Sequence, residues 1–298
     1  MDRKTKIIVT VGPSLSSESK INKIIDAGAN VLRINFSHGT LEDHENVISW
    51  ARKSNKQVAI MQDIQGPKIR TGISSENTFL EKSKNVTLTN IETESNNDIV
   101  FINYENLLRD VNVDDRVFID DGQIVLKVVE KENDKLEALI LIGGELRDNQ
   151  GVAFPDSNLS VSAITEKDKE HLKFGSEHDV DFVAVSFVRN ASDINLVKEI
   201  IPKDVKVIAK IELKTALDNI DEILDVADGV MVARGDLGVQ LPLEQVPFVQ
   251  KQILDAANKR GKISITATEM LQSMKTLIDL LELRLLILPM QYLRVQML

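Results

Sequence analysis

Residues 228–240 read DGVMVARGDLGVQ. The run 229–233 has the length and apolar character of a buried strand, and it stops at once in Arg234-Gly235-Asp236. A guanidinium and a carboxylate at the end of a buried strand are costly unless they are paired or bound to a ligand. Asp236 can hold a hard cation, Arg234 can hold Asp236 or an anion, and Gly235 and Gly238 permit close backbone approach. Taken alone, the stretch is equally an ordinary strand-to-helix loop with a surface ion pair. The choice narrows because the pattern recurs along the chain.

Short apolar runs alternate with segments of helical spacing, the signature of an α/β fold with parallel strands. Strands are expected at 6–11, 31–35, 57–62, 182–185, 206–210, 229–233 and 263–266. Helices are expected at 18–27, 41–53, 167–178, 191–200, 218–226 and 243–260, with Thr165 as a cap before the third of these. From about residue 72 to 156 the rhythm changes to short alternating runs with no clear helix, and Asp120-Asp121-Gly122 stands between two of them as a turn. This predicts an all-β insertion after the third strand. Seven strand–helix units remain, one short of a (β/α)8 TIM-type barrel, whose functional groups sit at the carboxyl ends of its strands. Polar residues cluster at those ends: Arg33, Asn35, Asp63, Arg70, Ser186, Lys210, Glu212, Arg234, Asp236 and Thr268.

Composition excludes several function classes. With 298 residues there is room for one large core or two domains, and the net charge of −10 argues against non-specific nucleic-acid binding. The chain has no cysteine, so disulfides and thiolate chemistry are out. The apolar stretch at 7–11 is too short for a signal peptide, and no stretch reads as a membrane span; a cytoplasmic protein is expected.

Glu212 and Asp236 end successive strands and would be neighbours in a barrel. Two carboxylates completed by ligand oxygens suit Mg²⁺, with Mn²⁺ as the alternative. Lys210, two residues before Glu212, points the same way; it can neutralise a transferring phosphoryl group or an enolate, and it can pair with Glu212. Arg33 and Arg70 suit phosphate or carboxylate. Thr268 is by itself most simply a helix cap. His38, His44, His171 and His178 show no metal spacing, and His44 is expected to be solvated. Acids for a metal, several cations and no obvious histidine base point to phosphoryl transfer or enolate chemistry.

Eight motifs in order carry a resemblance to pyruvate kinase: TKIIVTVGPS at 5–14, LRINFSHG at 32–39, QGPKIRTG at 65–72, TEKD at 165–168, Ser186-Phe187, KIE at 210–212, MVARGDLG at 231–238 and TATEMLQSM at 266–274. The resemblance implies phosphate transfer from phosphoenolpyruvate to ADP, giving pyruvate and ATP, with Mg²⁺ on Glu212 and Asp236. It implies Lys210, Arg33 and Thr268 as catalytic residues. Ala233, Arg234, Gly235 and Asp236 would hold the substrate carboxylate at the mouth of a helix. Asn35, Ser37, Asp63 and the Ile64 backbone match the monovalent-cation site, and Pro13, Asn35, His38 and Arg70 the nucleotide side. The family is homotetrameric and cytoplasmic. The implied organisation is a first barrel part at 1–71, a β lid at 72–157, a second barrel part at 158–276 and a tail at 277–298.

Three departures stand out. Lys68 occupies the place of the glutamate in potassium-dependent members, so its ammonium is expected to replace K⁺. Glu269 stands for a glutamine, and Lys214-Thr215 for a polar-glycine pair. Residues 277–298, LIDLLELRLLILPMQYLRVQML, match none of the family's continuation. Permitted codons for them read, in a neighbouring frame, DRPTRAEVTDIANAIFEGTDA, which does match. The expectation is therefore a frameshifted tail and a barrel cut after its seventh strand, with open edges, low stability and weak or no activity. A non-catalytic fragment of the same family and a Mg²⁺-dependent pyruvate-enolate aldolase are the competing readings.

Overall fold

Seven largely apolar strands pair only with one another, in parallel and in the order in which they follow along the chain. The computed structural model describes residues 4–268. Glu269 and the tail 277–298 lie outside the described residues. The strands are β1 Ile8–Val11, β2 Val31–Asn35, β3 Ala59–Ile64, β12 Phe182–Val185, β13 Lys206–Ile211, β14 Gly229–Ala233 and β15 Ile263–Ala267. β14 is buried at all five positions, as a parallel strand covered on both faces must be. The sheet curls into part of a barrel; among the described residues β1 and β15 each pair on one side only.

Two apolar layers hold the sheet. Inside the curl, Met61, Ala184, Ile208 and Met231 form a small buried cluster against Ile8, Val31, Phe182 and Ile265. Outside it, a larger core joins the sheet to the helices α1 Glu18–Asp26, α2 Leu41–Arg52, α4 Glu166–Glu177, α5 Ala191–Lys198, α7 Ile220–Val226 and α9 Val246–Lys259. Local chemistry sets several helix starts. Thr40 with Asp43, and Thr165 with Asp168, form reciprocal capping boxes, and Asn190 caps α5. Gly229 marks the closest strand approach: a Cβ there would lie 2.6 Å from both Cβ and the carbonyl oxygen of Ile263.

Between β3 and α4 the chain leaves the parallel sheet. It builds β4 Phe79–Leu80, β5 Asn85–Thr89, β6 Ile99–Phe101, α3 Leu107–Asp110, β7 Arg116–Ile119, β8 Ile124–Lys131, β9 Leu136–Ile142, β10 Gly144–Glu145 and β11 Val152–Ala153. Six of these strands order as β11-β7-β8-β9-β5-β6, antiparallel except for β5 with β6. They enclose a separate core around Leu88, Val100, Leu126 and Ile140. The turn between β7 and β8 holds Asp120, Asp121 and Gly122 at φ 54°, 53° and 86°, a left-handed path that short polar residues and glycine tolerate.

The structure corrects several expectations. The insertion does contain a helix, the single turn α3. β3 runs two residues past 62 because the Asp63 side chain finds cationic partners and need not leave the strand. The helix expected at 218–226 is α6 Lys214–Asp218 plus α7, broken at Asn219, whose side chain turns away to donate to the Arg189 carbonyl. The long helix expected from 243 starts at Val246, and a separate helix, α8 Arg234–Gln240, follows β14 directly. His44 is not solvated: it is 7% exposed, with its ring 4.2 Å from that of Phe36.

Candidate active site

The carboxyl ends of β2, β3, β12 and β13 converge on one ammonium group. Lys210 Nζ lies 2.9 Å from Glu212 Oε1, 3.3 Å from Asp63 Oδ1 and 2.8 Å from Ser186 Oγ. Burial alone would lower the Lys210 pKa, but Glu212 and Asp63 outweigh it and hold the ammonium charged well above its ordinary range. Asp63, 1% exposed, is shared: its other oxygen accepts from Arg33 Nε at 2.6 Å, and Arg33 Nη1 reaches Thr10 Oγ1 at 2.9 Å. Arg33, Asp63, Lys210 and Glu212 thus form one continuous chain of alternating charge.

Glu212 is buried and its second oxygen accepts the Phe187 N–H at 2.8 Å. Burial and the neighbouring Asp236 push its carboxyl up, against the pull of Lys210. Phe187 has φ 54°, an unusual conformation for a bulky residue, and this turn aims its N–H at the carboxylate. Ser186 in turn donates to the Ile64 carbonyl at 2.7 Å.

Asp236, in the first turn of α8, is exposed and opens onto a cleft of about 370 Å³ between the parallel sheet and the inserted sheet. Glu212, Lys68, Arg70, Asp120, Asp121, Phe187 and Lys214 also line it. Burial depresses the Lys68 pKa, as do Arg70 and Lys210, while Asp236 and Glu212 act in the opposite sense. Lys68 is therefore felt by the carboxylate pair. From the opposite wall, the Asp121 carboxyl is pushed up by burial and by Asp236.

The end of β14 is tied to the end of β15. Ala233 is buried and precedes α8; Arg234 Nε donates to the Ala267 carbonyl at 3.2 Å, and Nη2 donates to that of Thr268. Gly235 N–H donates to Thr268 Oγ1 at 3.1 Å, and Thr268 itself sits at φ 59°. Arg234 thus meets the carbonyls at the end of β15. In the β2 corner, Asn35 Oδ1 accepts from the Ser37 N–H at 3.0 Å, and the Asp63 carbonyl accepts from Phe36. Pro13 and His38 stand exposed after β1 and β2 and do not line the cleft. Arg70 is tied to the inserted sheet, donating to Asn149 O at 2.7 Å and, through its N–H, to Asn103 Oδ1 at 2.6 Å.

Sequence reasoning placed Arg33, Asp63, Lys210 and Glu212 correctly at strand ends but gave no separate weight to Thr10, Phe187, Asp121 or Asp168. Asp168 is 1% exposed, completes the capping box of α4 with Thr165 and also accepts the Gly66 N–H at 3.2 Å, tying the loop after β3 to α4. Its TEKD motif was the available signal. Asp121 carried only a turn signal.

Glu212 and Asp236 fit a small hard cation that keeps waters and takes oxygens from a ligand. Among the described residues, no three His, Cys, Asp or Glu converge into a full protein cage. The donors for a monovalent cation are present but largely engaged: both Asp63 oxygens face cations, and the Ile64 carbonyl accepts from Ser186.

Comparison with known proteins places the chain in a family. The family description "Pyruvate kinase, barrel domain" matches residues 2–277. A pyruvate kinase of Staphylococcus aureus (strain MRSA252) is 45% identical over 283 residues, covering 92% of this chain and 48% of the relative. One of Thermotoga maritima is 44% identical over 280 residues, covering 91% of this chain and 60% of the relative. The chain therefore spans about half the length of the curated relatives it matches.

Proposed function

The chain belongs to the pyruvate kinase family, and on that premise we propose that it transfers the phosphoryl group of phosphoenolpyruvate to ADP, giving pyruvate and ATP. The observation that carries this reading is Lys210, a buried ammonium fixed among Asp63, Ser186 and Glu212, directly behind the carboxylate that lines a cleft whose acids suit a divalent cation.

Glu212 and Asp236 would hold Mg²⁺ or Mn²⁺, which when bound supplies positive charge to the substrate oxygens. Arg33 and Lys210 meet the phosphoryl group, and because their carboxylate partners already fix them, little reorganisation is needed as charge develops. Lys210 stays protonated and faces the enolate as that forms. Thr268 Oγ1 accepts from Gly235 N–H, which leaves its hydroxyl hydrogen available near the enolate carbon that must gain a proton. The backbone at 233–236 opens α8 and suits the substrate carboxylate. Pro13, Asn35, His38 and Arg70 form the nucleotide side.

The insertion at 72–157 acts as a lid between barrel parts at 1–71 and 158–276, and by closing the cleft it excludes water. Asn35, Ser37, Asp63 and Ile64 make up the monovalent-cation corner, with Lys68 supplying the charge that K⁺ supplies elsewhere. Homotetrameric assembly and a cytoplasmic location belong to the same reading. No helix among the described residues is long and apolar enough to cross a membrane.

The test is pyruvate formation from phosphoenolpyruvate, ADP and Mg²⁺ by the 298-residue chain, with and without K⁺. Turnover that needs ADP and Mg²⁺ supports the reading, and turnover without K⁺ supports the role of Lys68. Folded protein that forms no pyruvate makes the chain a non-catalytic member of the family. Pyruvate release without ADP points to enolate chemistry of the aldolase kind.

A further inference from the structure

The chain passes from the parallel sheet into the insertion and back through two segments, and they are built differently. On the way out, Gly66 is held to α4 through Asp168, while Arg70 already bonds the insertion. The crossing there is residues 66–68, with Gly66 at φ 66°. On the way back, residues 159–161 are gripped from both sides. Arg189 Nη1 donates to the carbonyls of Leu159 at 2.8 Å and Val161 at 2.6 Å. Between those two residues, Ser160 faces the insertion: its N–H donates to Asp110 Oδ2 at 2.7 Å and its hydroxyl at 2.6 Å. Tyr104 and Arg109 complete that grip.

Arg189 is itself immobilised. Asp193, whose side chain is 5% exposed, takes its Nε at 3.2 Å, its Nη2 at 3.0 Å and its backbone N–H at 2.9 Å. Asn219 donates to its carbonyl. Arg189 also lies two residues after Phe187, whose N–H holds Glu212. One short loop after β12 therefore holds both a carboxylate of the cleft floor and the return segment of the cleft's other wall. Leu159, Val161 and Arg189 all line the cleft.

We propose that Arg189 is the barrel-side pin of the return segment 159–161, a positioning residue that sets the angle of the insertion over Glu212 and Asp236. This rests on the reading of the insertion as the lid of a phosphotransfer site. The chemistry selects arginine: its planar fork reaches two carbonyls and a carboxylate at once, whereas a lysine ammonium on its flexible stem cannot hold that pattern.

The variants R189M and R189K of the full chain test the pin. Amide exchange is read at residues 159–161 and, as a control, in β13 and β14. Losing a local clamp raises exchange locally, so R189M should exchange about tenfold or more faster at Ser160, with the control strands unchanged. Hinge residues alter kcat and KM together, so R189M should lower kcat and raise KM for phosphoenolpyruvate, with partial recovery in R189K. Mn²⁺ binding, followed by its paramagnetic resonance, should stay within about twofold, because both carboxylates remain in place.

Unchanged exchange at Ser160 overturns the proposal. So does an equal rise in β13 and β14, which would make Arg189 a general staple of the barrel, and so do unaltered kcat and KM beside faster exchange at Ser160. Should R189M fail to fold, R189K decides alone: faster exchange at Ser160 supports the pin, and wild-type exchange overturns it. A wild-type chain that forms no pyruvate removes the phosphotransfer reading, and the exchange comparison then judges the pin by itself.

Discussion

Lys210→Met removes one ammonium from between two buried carboxylates, and the structure allows the cost to be worked out. Asp63 keeps Arg33 at 2.6 Å, so its charge stays paired. Among the described residues, Glu212 keeps the Phe187 N–H as its one remaining donor. An unpaired charge at such a site costs about 3–5 kcal/mol, but Glu212 can instead take up a proton. An ordinary glutamate titrates near 4.3, so neutralising it at pH 7 costs roughly 3.7 kcal/mol, at about 1.36 kcal/mol per pH unit. At pH 5.5 the same arithmetic leaves roughly 1.6 kcal/mol. The folded variant then carries a proton that the unfolded chain releases, so the loss of stability grows as pH rises.

The assay is urea unfolding in EDTA at both pH values, so that no divalent cation replaces the lost charge. Trp50, the chain's one tryptophan, lies on α2, packs half-buried against the core that joins the helices to the sheet, and reports this part of the molecule. The expected losses are about 3–4 and about 1.5 kcal/mol respectively, and adding Glu212→Gln should bring the pH 7 value back within about 1 kcal/mol of wild type. A loss below about 1 kcal/mol at pH 7, or one that does not change with pH, would refute the view that Lys210 is what keeps Glu212 ionised in the absence of metal.

Other expectations follow from the same physics. The pKa values of His44 and His171 are depressed from 6.5, first by burial, then for His44 by His171 and for His171 by Lys167. Asp43 opposes the shift at His44, and Asp168 and Glu170 oppose it at His171. Neutral rings thus stabilise the fold above pH 6.5, and this is lost as pH falls below it; His171→Phe, which also removes a buried Nδ1 without a partner, should flatten the slope in acid unfolding curves. Gly229→Ala should cost about 1–3 kcal/mol in the Trp50 assay, because its Cβ meets Ile263 backbone that cannot swing aside. Lys68→Glu adds an acid beside Glu212 and Asp236, so pyruvate formation should then rise with K⁺ but not with a bulky cation such as tetramethylammonium; turnover still indifferent to K⁺ would count against Lys68 as its substitute.

Much of the site was legible because its signal is local. Arg33, Lys210 and Glu212 announce themselves as charges at or just after the ends of apolar runs, and that contrast survives without knowing which strands are neighbours. Asp63 shows the limit: it was read as lying after its strand, because the cations that let it remain inside come from β2 and β13. Phe187 was invisible as a donor, since its contribution is a backbone N–H aimed by a left-handed turn. Asp121 faces Asp236 only because a separate β-sheet folds back over the cleft, a relation no spacing along the chain encodes. His44 misled for the converse reason: a polar residue on an amphipathic helix reads as surface, and only the fold puts the Phe36 ring, itself against His171, beside it.

The charges in this corner also indicate what must happen before an anion can bind. Arg33 and Lys210 are matched by Asp63 and Glu212, and at the cleft Lys68 stands against Asp236, so three cations face three acids. Asp121 adds a further acid from the opposite wall. The cations Arg33 and Lys210 are fixed and well aimed, but much of the field they produce is cancelled by their own carboxylate partners, so an anion approaching them meets little of their charge. Glu212 and Asp236 would hold a divalent cation that adds two positive charges on this side, and Glu212, once so engaged, would leave more of the Lys210 charge to face a ligand. In the proposed function the acids that appear to oppose an anionic substrate are therefore what make its binding conditional on the metal.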